Sequence, residues 1–114
     1  MADISTTDRT SWVEGLDRLT KDREGQDVTI EVLHRSFGNR TEAERLPFAY
    51  TSYDPKDDVV VVAVGGRSSS HPVVLRHMVQ HPDEIDIDLD AGALLAVEQD
   101  GTTTIVTFFQ PSGG

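Results

Sequence analysis

The sequence contains no cysteine, which excludes disulfide staples, thiolate metal centres and sulfur redox chemistry, and reads most simply as a cytoplasmic protein. It has no long apolar run. The longest, Val59 to Val64, falls far below the roughly 20 residues of a membrane helix. The first ten residues carry Asp3 and Asp8 and lack the basic and apolar regions of a signal peptide. Lysine is also scarce, with only Lys21 and Lys56. A span of 114 residues suits one domain with one core, and the reading divides it into a tail over 1–10, a single domain over 11–110 and a tail over 111–114.

Acidic residues are abundant instead. Twenty Asp and Glu against ten Lys and Arg give a net charge of −10. Such a field repels phosphate backbones and anionic lipid heads, so neither direct nucleic-acid binding nor a membrane surface is expected, and a basic protein partner is favoured. The same bias suits a high-salt cytoplasm, where the screening length falls to about 3 Å at 1 M. A GC-rich genome accounts for it equally well.

Ser11-Trp12-Val13-Glu14 fits a capping box, and Trp12, Leu16 and Leu19 share one helical face, so a helix is predicted over Trp12–Glu24 with Gly25 as its left-handed stop. From Asp27 to Leu33 the pattern changes to period two, the mark of a half-buried strand. A second strand is predicted over Ala43–Tyr53, with Pro47 at an edge or bulge. Asp54-Pro55-Lys56-Asp57 has the chemistry of a type I turn leading into Val59–Val64. Six apolar residues in succession leave that strand no polar face, so it needs cover on both sides from the helix or from a second copy of the chain. Gly65–Ser70 reads as a loop, and strands follow at Val73–Val79 and Ile85–Leu89. Asp100-Gly101 predicts a two-residue type I′ turn that would set Val97 opposite Thr104 and Leu95 opposite Val106. The sum is an α+β fold, one N-terminal helix on a mostly antiparallel sheet of about six strands with a barrel-like tendency.

Three groups of residues could carry chemistry. Gly65-Gly66-Arg67-Ser68-Ser69-Ser70-His71 could cradle an anion through backbone amides, Arg67 and the hydroxyls, with His77 as a polar ring nearby. It lacks the Gly-Lys-Ser/Thr of a phosphate loop. Asp83, Glu84, Asp86, Asp88 and Asp90 form an acidic stripe whose alternate carboxylates lie roughly 6.5 to 7 Å apart, near the phosphate spacing of a nucleic-acid strand. Keeping an edge soluble is the simpler use of such a stripe. The same run has the look of an EF-hand loop, but its glycine and final glutamate each fall one residue late. His71, His77 and His81 lie close in sequence, but on a strand His77 and His81 stand roughly 13 Å apart, too far to share one ion without a turn at Pro82, so no metal or cofactor is expected. No nucleophile elbow is present, and nothing favours catalysis.

Ser11-Trp12 with Leu16, Val28-Thr29-Ile30-Glu31-Val32, Leu46-Pro47, Tyr53-Asp54, Val59 with Val61, His77 with Val79 and Pro82, Ile85, and Asp100-Gly101-Thr102-Thr103-Thr104-Ile105 together resemble a family of small prokaryotic proteins catalogued as a domain of unknown function. The resemblance implies a fold and no reaction. The functional expectation is therefore a non-catalytic module that binds protein or itself. The alternatives are a small-molecule, anion or metal-binding protein using the Gly65–His71 loop with His77, and an acidic mimic of nucleic acid.

Overall fold

The computed structural model describes residues 3–6, 9–34, 36, 38–68, 71–88, 90 and 92–109, with side chains from residue 11 onward except 66–68 and 71–74. The tail expected over 111–114 lies outside the described residues. The elements are β1 (Asp3–Thr6), α1 (Arg9–Asp22), β2 (Asp27–His34), β3 (Gly38–Asp54), β4 (Val59–Ser68), β5 (His71–Gln80), β6 (Pro82–Asp88), β7 (Ala93–Glu98) and β8 (Thr103–Phe109). They build one helix and an eight-stranded antiparallel sheet in the order β1-β6-β7-β8-β2-β3-β4-β5.

The expectation of about six strands needs correction, because the stretch 1–10, read as a tail, supplies β1 and the start of α1. Four residues are too short to show a period-two pattern; pairing with β6, Ile4 opposite Ile87, is what defines β1. The helix also begins at Arg9, two residues before Ser11. Ser11 therefore sits inside the first turn, and the Ser11-Glu14 box does not mark the start.

One apolar face of the sheet forms the core. Ile85 and Ile87, Leu94 and Ala96, Val106 and Phe108, Val28 and Ile30, Phe48, Tyr53, and Val60, Val62 and Val64 all point inward and are buried. The sheet curls so far that His77 on β5 reaches Thr104 on β8, with Nε2 and Oγ1 3.1 Å apart, although three strands lie between them in the sheet order. It does not close into a barrel: β1 and β5 remain its two ends. Curling brings Phe48 edge-on to Phe108, with centroids 4.8 Å apart.

The open side is filled by α1, which packs on β3, β1 and β6. Trp12, Leu16 and Leu19 are fully buried, as their common helical face requires. Trp12 meets Tyr53 edge-to-face at 5.1 Å and 87°. On the solvent face the pairs Asp17–Lys21 and Arg18–Asp22 are too exposed to matter much for stability. Gly25 takes φ +88° as the helix ends, the left-handed stop the sequence predicts.

β3 is the hinge of the topology. Its first part pairs with β2 as far as Pro47, and from Phe48 it pairs with β4. Pro47 sits at the hand-over, where a missing ladder donor costs least. Beyond it, the Thr51 N–H donates to Thr20 Oγ1 and the Thr51 carbonyl lies 3.0 Å from the same hydroxyl. The Thr51 hydroxyl in turn donates to the Leu16 carbonyl at 2.9 Å.

The last hairpin differs by one residue from the expected register: Val97 opposes Thr103, Leu95 opposes Ile105 and Ala93 opposes Thr107. The turn is three residues long, with Gly101 N–H donating to the Glu98 carbonyl, Glu98 N–H to the Thr102 carbonyl, and Gly101 at φ +92°. That is a type I turn closed by a glycine bulge rather than a type I′ turn. A slip of one turns β7 over while β8 keeps its expected face, so Leu94 and Ala96 are buried with Thr104 and Val106 while Leu95, Val97 and Ile105 face outward.

Burial of Trp12 sets the first prediction: Trp12→Ala should cost about 3 to 5 kcal/mol in denaturant unfolding, and a loss below about 1 kcal/mol would show that α1 is not anchored through it. The valine strand supplies the second. Val60 is fully buried and Val61 only half-buried on the opposite face. Val60→Asp should abolish folding, as judged by circular dichroism, while Val61→Asp should leave a folded chain.

Candidate functional site

The expected anion cradle is part of a hairpin. β4 continues through Gly65 to Ser68, and Ser68 opposes His71. Gly65 adopts φ +89° where the register shifts, and this left-handed residue lets the ladder run on through a stretch that reads as loop. Arg67 and Ser68 therefore end β4 and His71 opens β5. Their side chains lie outside the described residues, as do Ser69 and Ser70 entirely. His77 is six residues along the same strand from His71, a separation of about 20 Å at strand rise.

His77 points into the mouth of the curled sheet, opposite Val62 on β4, half-buried and bound to Thr104, which is 1% exposed. Burial pushes its pKa below the ordinary value of 6.5; the Glu42 carboxylate opposes that shift and the Arg40 guanidinium adds to it. Arg40 and Glu42 form an ion pair of 3.1 Å at the same mouth. A neutral ring held by a threonine hydroxyl can donate or accept one hydrogen bond, and the Arg40–Glu42 pair gives the mouth both signs of charge.

A second histidine site gathers residues that no sequence pattern groups together. β5 ends at Gln80 and β6 starts at Pro82, so His81 alone turns the corner, at φ +51°. Its N–H donates to the carbonyl of Asp58, itself at φ +52°, and its Nδ1 stands 3.4 Å from Asp58 Oδ2. The other carboxylate oxygen of Asp58 accepts the Tyr53 hydroxyl at 2.6 Å. Tyr53, Asp58 and His81 thus link the helix contact to the β5–β6 corner. Beside them an open cleft of about 260 Å³ is lined by Gln80, His81, Glu98, Gln99 and Asp100. Burial, and then the neighbouring Asp100 charge, raises the Glu98 pKa above its ordinary value. The only hint in the sequence is His81 before Pro82, and the partner Asp58 lies 23 residues away.

The acidic stripe is divided by its surroundings. Asp83, Glu84 and Asp90 are exposed, whereas Asp86 and Asp88 are half-buried on the outer face of β6. Asp88 Oδ1 accepts the Asp90 N–H, so one carboxylate is used to shape the β6–β7 turn. Asp86 Oδ1 is shielded from water without a hydrogen-bond donor among the described residues. Among the described residues no three His, Asp or Glu side chains converge as a metal site would require, and no helix is long and apolar enough to cross a membrane.

The depressed His77 pKa carries a pH signature. Unfolding returns the ring to its ordinary proton affinity, so the unfolded chain binds the extra proton and stability is lost as pH falls below about 6.5 toward the folded value. Urea midpoints of the wild type should therefore fall more steeply between about pH 7 and pH 5 than those of His77→Gln; parallel curves would show that burial of the ring is not linked to protonation.

An uncharacterized protein of Aquifex aeolicus (strain VF5) is 31% identical over 98 residues, 83% of this chain and 82% of the relative. No solved structure matches the chain. Residues 4–114 match the family of unknown function DUF5335. Both matches span most of the chain and agree with the resemblance carried by its helix, strand and turn residues, so the chain belongs to the DUF5335 family.

Proposed function

We propose that this protein is a non-catalytic protein-binding module whose docking element is the free edge of β5. The observation that carries this reading is the position of β5 at one end of an unclosed sheet, ten residues long and paired on one side only among the described residues. Edge strands of this length are normally blunted by lysine, inward charges or cover from another element. β5 has neither lysine nor carboxylate in His71–Gln80, and its proline, Pro72, interrupts only the second residue of the strand. Its Met78 is 52% exposed, an unusual residue to leave in water beside an open ladder. Extended segments add to such edges through main-chain hydrogen bonds, with alternate side chains supplying selectivity.

The net charge of −10 steers a partner of positive net charge toward the molecule, and the β6 stripe adjoins the opposite end of the sheet from β5. A second copy of the chain is the other occupant this edge admits. The test is amide hydrogen exchange at low micromolar concentration, with light scattering to report size. The outward amides of β5 should exchange far faster than those of β4, which is paired on both sides. Protection of β5 equal to that of β4 in a monomer would mean that the edge is already covered and would overturn the reading.

A further inference from the structure

The edge of β5 has a side-chain chemistry of its own. Residues 59–82 contain no Asp or Glu, although the chain has twenty. Within that stretch Arg76 faces outward in a row with Ala63 and Tyr50, and its Nε donates to the Tyr50 hydroxyl at 3.1 Å. That bond anchors the guanidinium over Ala63, which is fully buried. The terminal nitrogens of Arg76 meet no carboxylate among the described residues, whereas Arg18 and Arg40 each do. Two residues further on, Met78 projects from the same face, beside the half-buried Val61. A cation and an apolar group therefore stand about 7 Å apart along the rim of an unpaired strand.

The geometry points to an extended peptide segment carrying an acidic residue and an apolar residue two positions apart as the occupant of this edge, a conclusion that rests on the docking role of β5. A strand added at about 4.8 Å places its own alternate side chains directly beside those of β5. A carboxylate set there can engage the two terminal nitrogens of Arg76 as a fork, an arrangement lysine could not supply. The apolar residue covers Met78. The charge preference is local, because the net charge of −10 acts through a screening length of about 8 Å at physiological salt, while a direct pair at the edge is barely screened. The same net charge disfavours a nucleic-acid phosphate as the source of the anion.

A phage-displayed library of random ten-residue peptides, selected on the full chain, tests this. Enriched peptides are synthesised, their affinities are measured against wild type, Arg76→Glu and Arg76→Gln, and their footprint is read by amide exchange. The expected result is enrichment of Asp or Glu two positions from an apolar residue, protection of β5, and a loss of about ten- to a hundredfold on Arg76→Glu. Replacing the peptide acid by lysine should recover binding to Arg76→Glu. Arg76 is exposed, so both variants should fold, and matching thermal melts confirm it. Peptides that protect β5 without any carboxylate preference, or with equal affinity for Arg76→Glu, overturn the acidic motif and leave edge docking standing. Peptides that leave β5 exchange unchanged, or no enrichment at all, overturn both.

Discussion

Thr51 occupies the point where β3 has left β2 and joined β4. A strand that changes partners exposes main-chain groups on the edge it abandons, and buried groups of this kind must be satisfied. Thr51 is 4% exposed, and its N–H and carbonyl both meet the Thr20 hydroxyl of α1. The helix is thus required twice, once to cover apolar side chains and once to complete the backbone of a bent strand. Trp12 against Tyr53 and the Thr20–Thr51 contacts lie along the same helix–strand seam.

That seam explains why the sheet stops short of closure. α1 occupies the gap that a further strand would have to bridge between β1 or β6 and β3. On the far side, β5 meets β8 through the His77–Thr104 side-chain contact rather than through a ladder. The helix on one side and the His77–Thr104 contact on the other leave β5 without a ladder on its outer edge among the described residues. The edge is therefore a consequence of how the core is covered, which is what makes it available for recognition.

The two histidine sites have different roles in this frame. His77 faces the mouth, where burial lowers its pKa and disfavours the charged ring, so it behaves as part of the wall. His81 instead carries the chain from β5, at one end of the sheet, to β6, the strand next to the other end, in a single residue, with a left-handed conformation matched by that of Asp58. Two non-glycine residues in that region are costly, and the main-chain bond between them, the His81 Nδ1–Asp58 Oδ2 contact and the Tyr53 hydroxyl offset the strain. The Tyr53 link connects this corner to the Trp12 contact, so the helix seam and the β5–β6 corner are one continuous set of contacts.

The sequence by itself determined the class of fold and most of its elements. Trp12, Leu16 and Leu19 declare a buried helical face, Val28, Ile30 and Val32 declare a strand, and Gly25 and Pro47 mark breaks that local sterics impose whatever the context. Only the tertiary structure decided the rest. β1 has no pattern of its own and exists because β6 offers it an edge. Gly65 permits either a loop or a bulge, and the pairing of Ser68 with His71 selects the bulge. Asp100-Gly101 is compatible with two turns that differ by one residue, and burial of Leu94 and Ala96 beneath the sheet chooses between them. Tyr53, Asp58 and His81 share no local pattern, and neither do Tyr50 and Arg76; they meet because non-adjacent strands are brought together. Periodicity reports which side chains leave water, whereas proximity across strands depends on register and curl, and those follow from the packing of the whole chain.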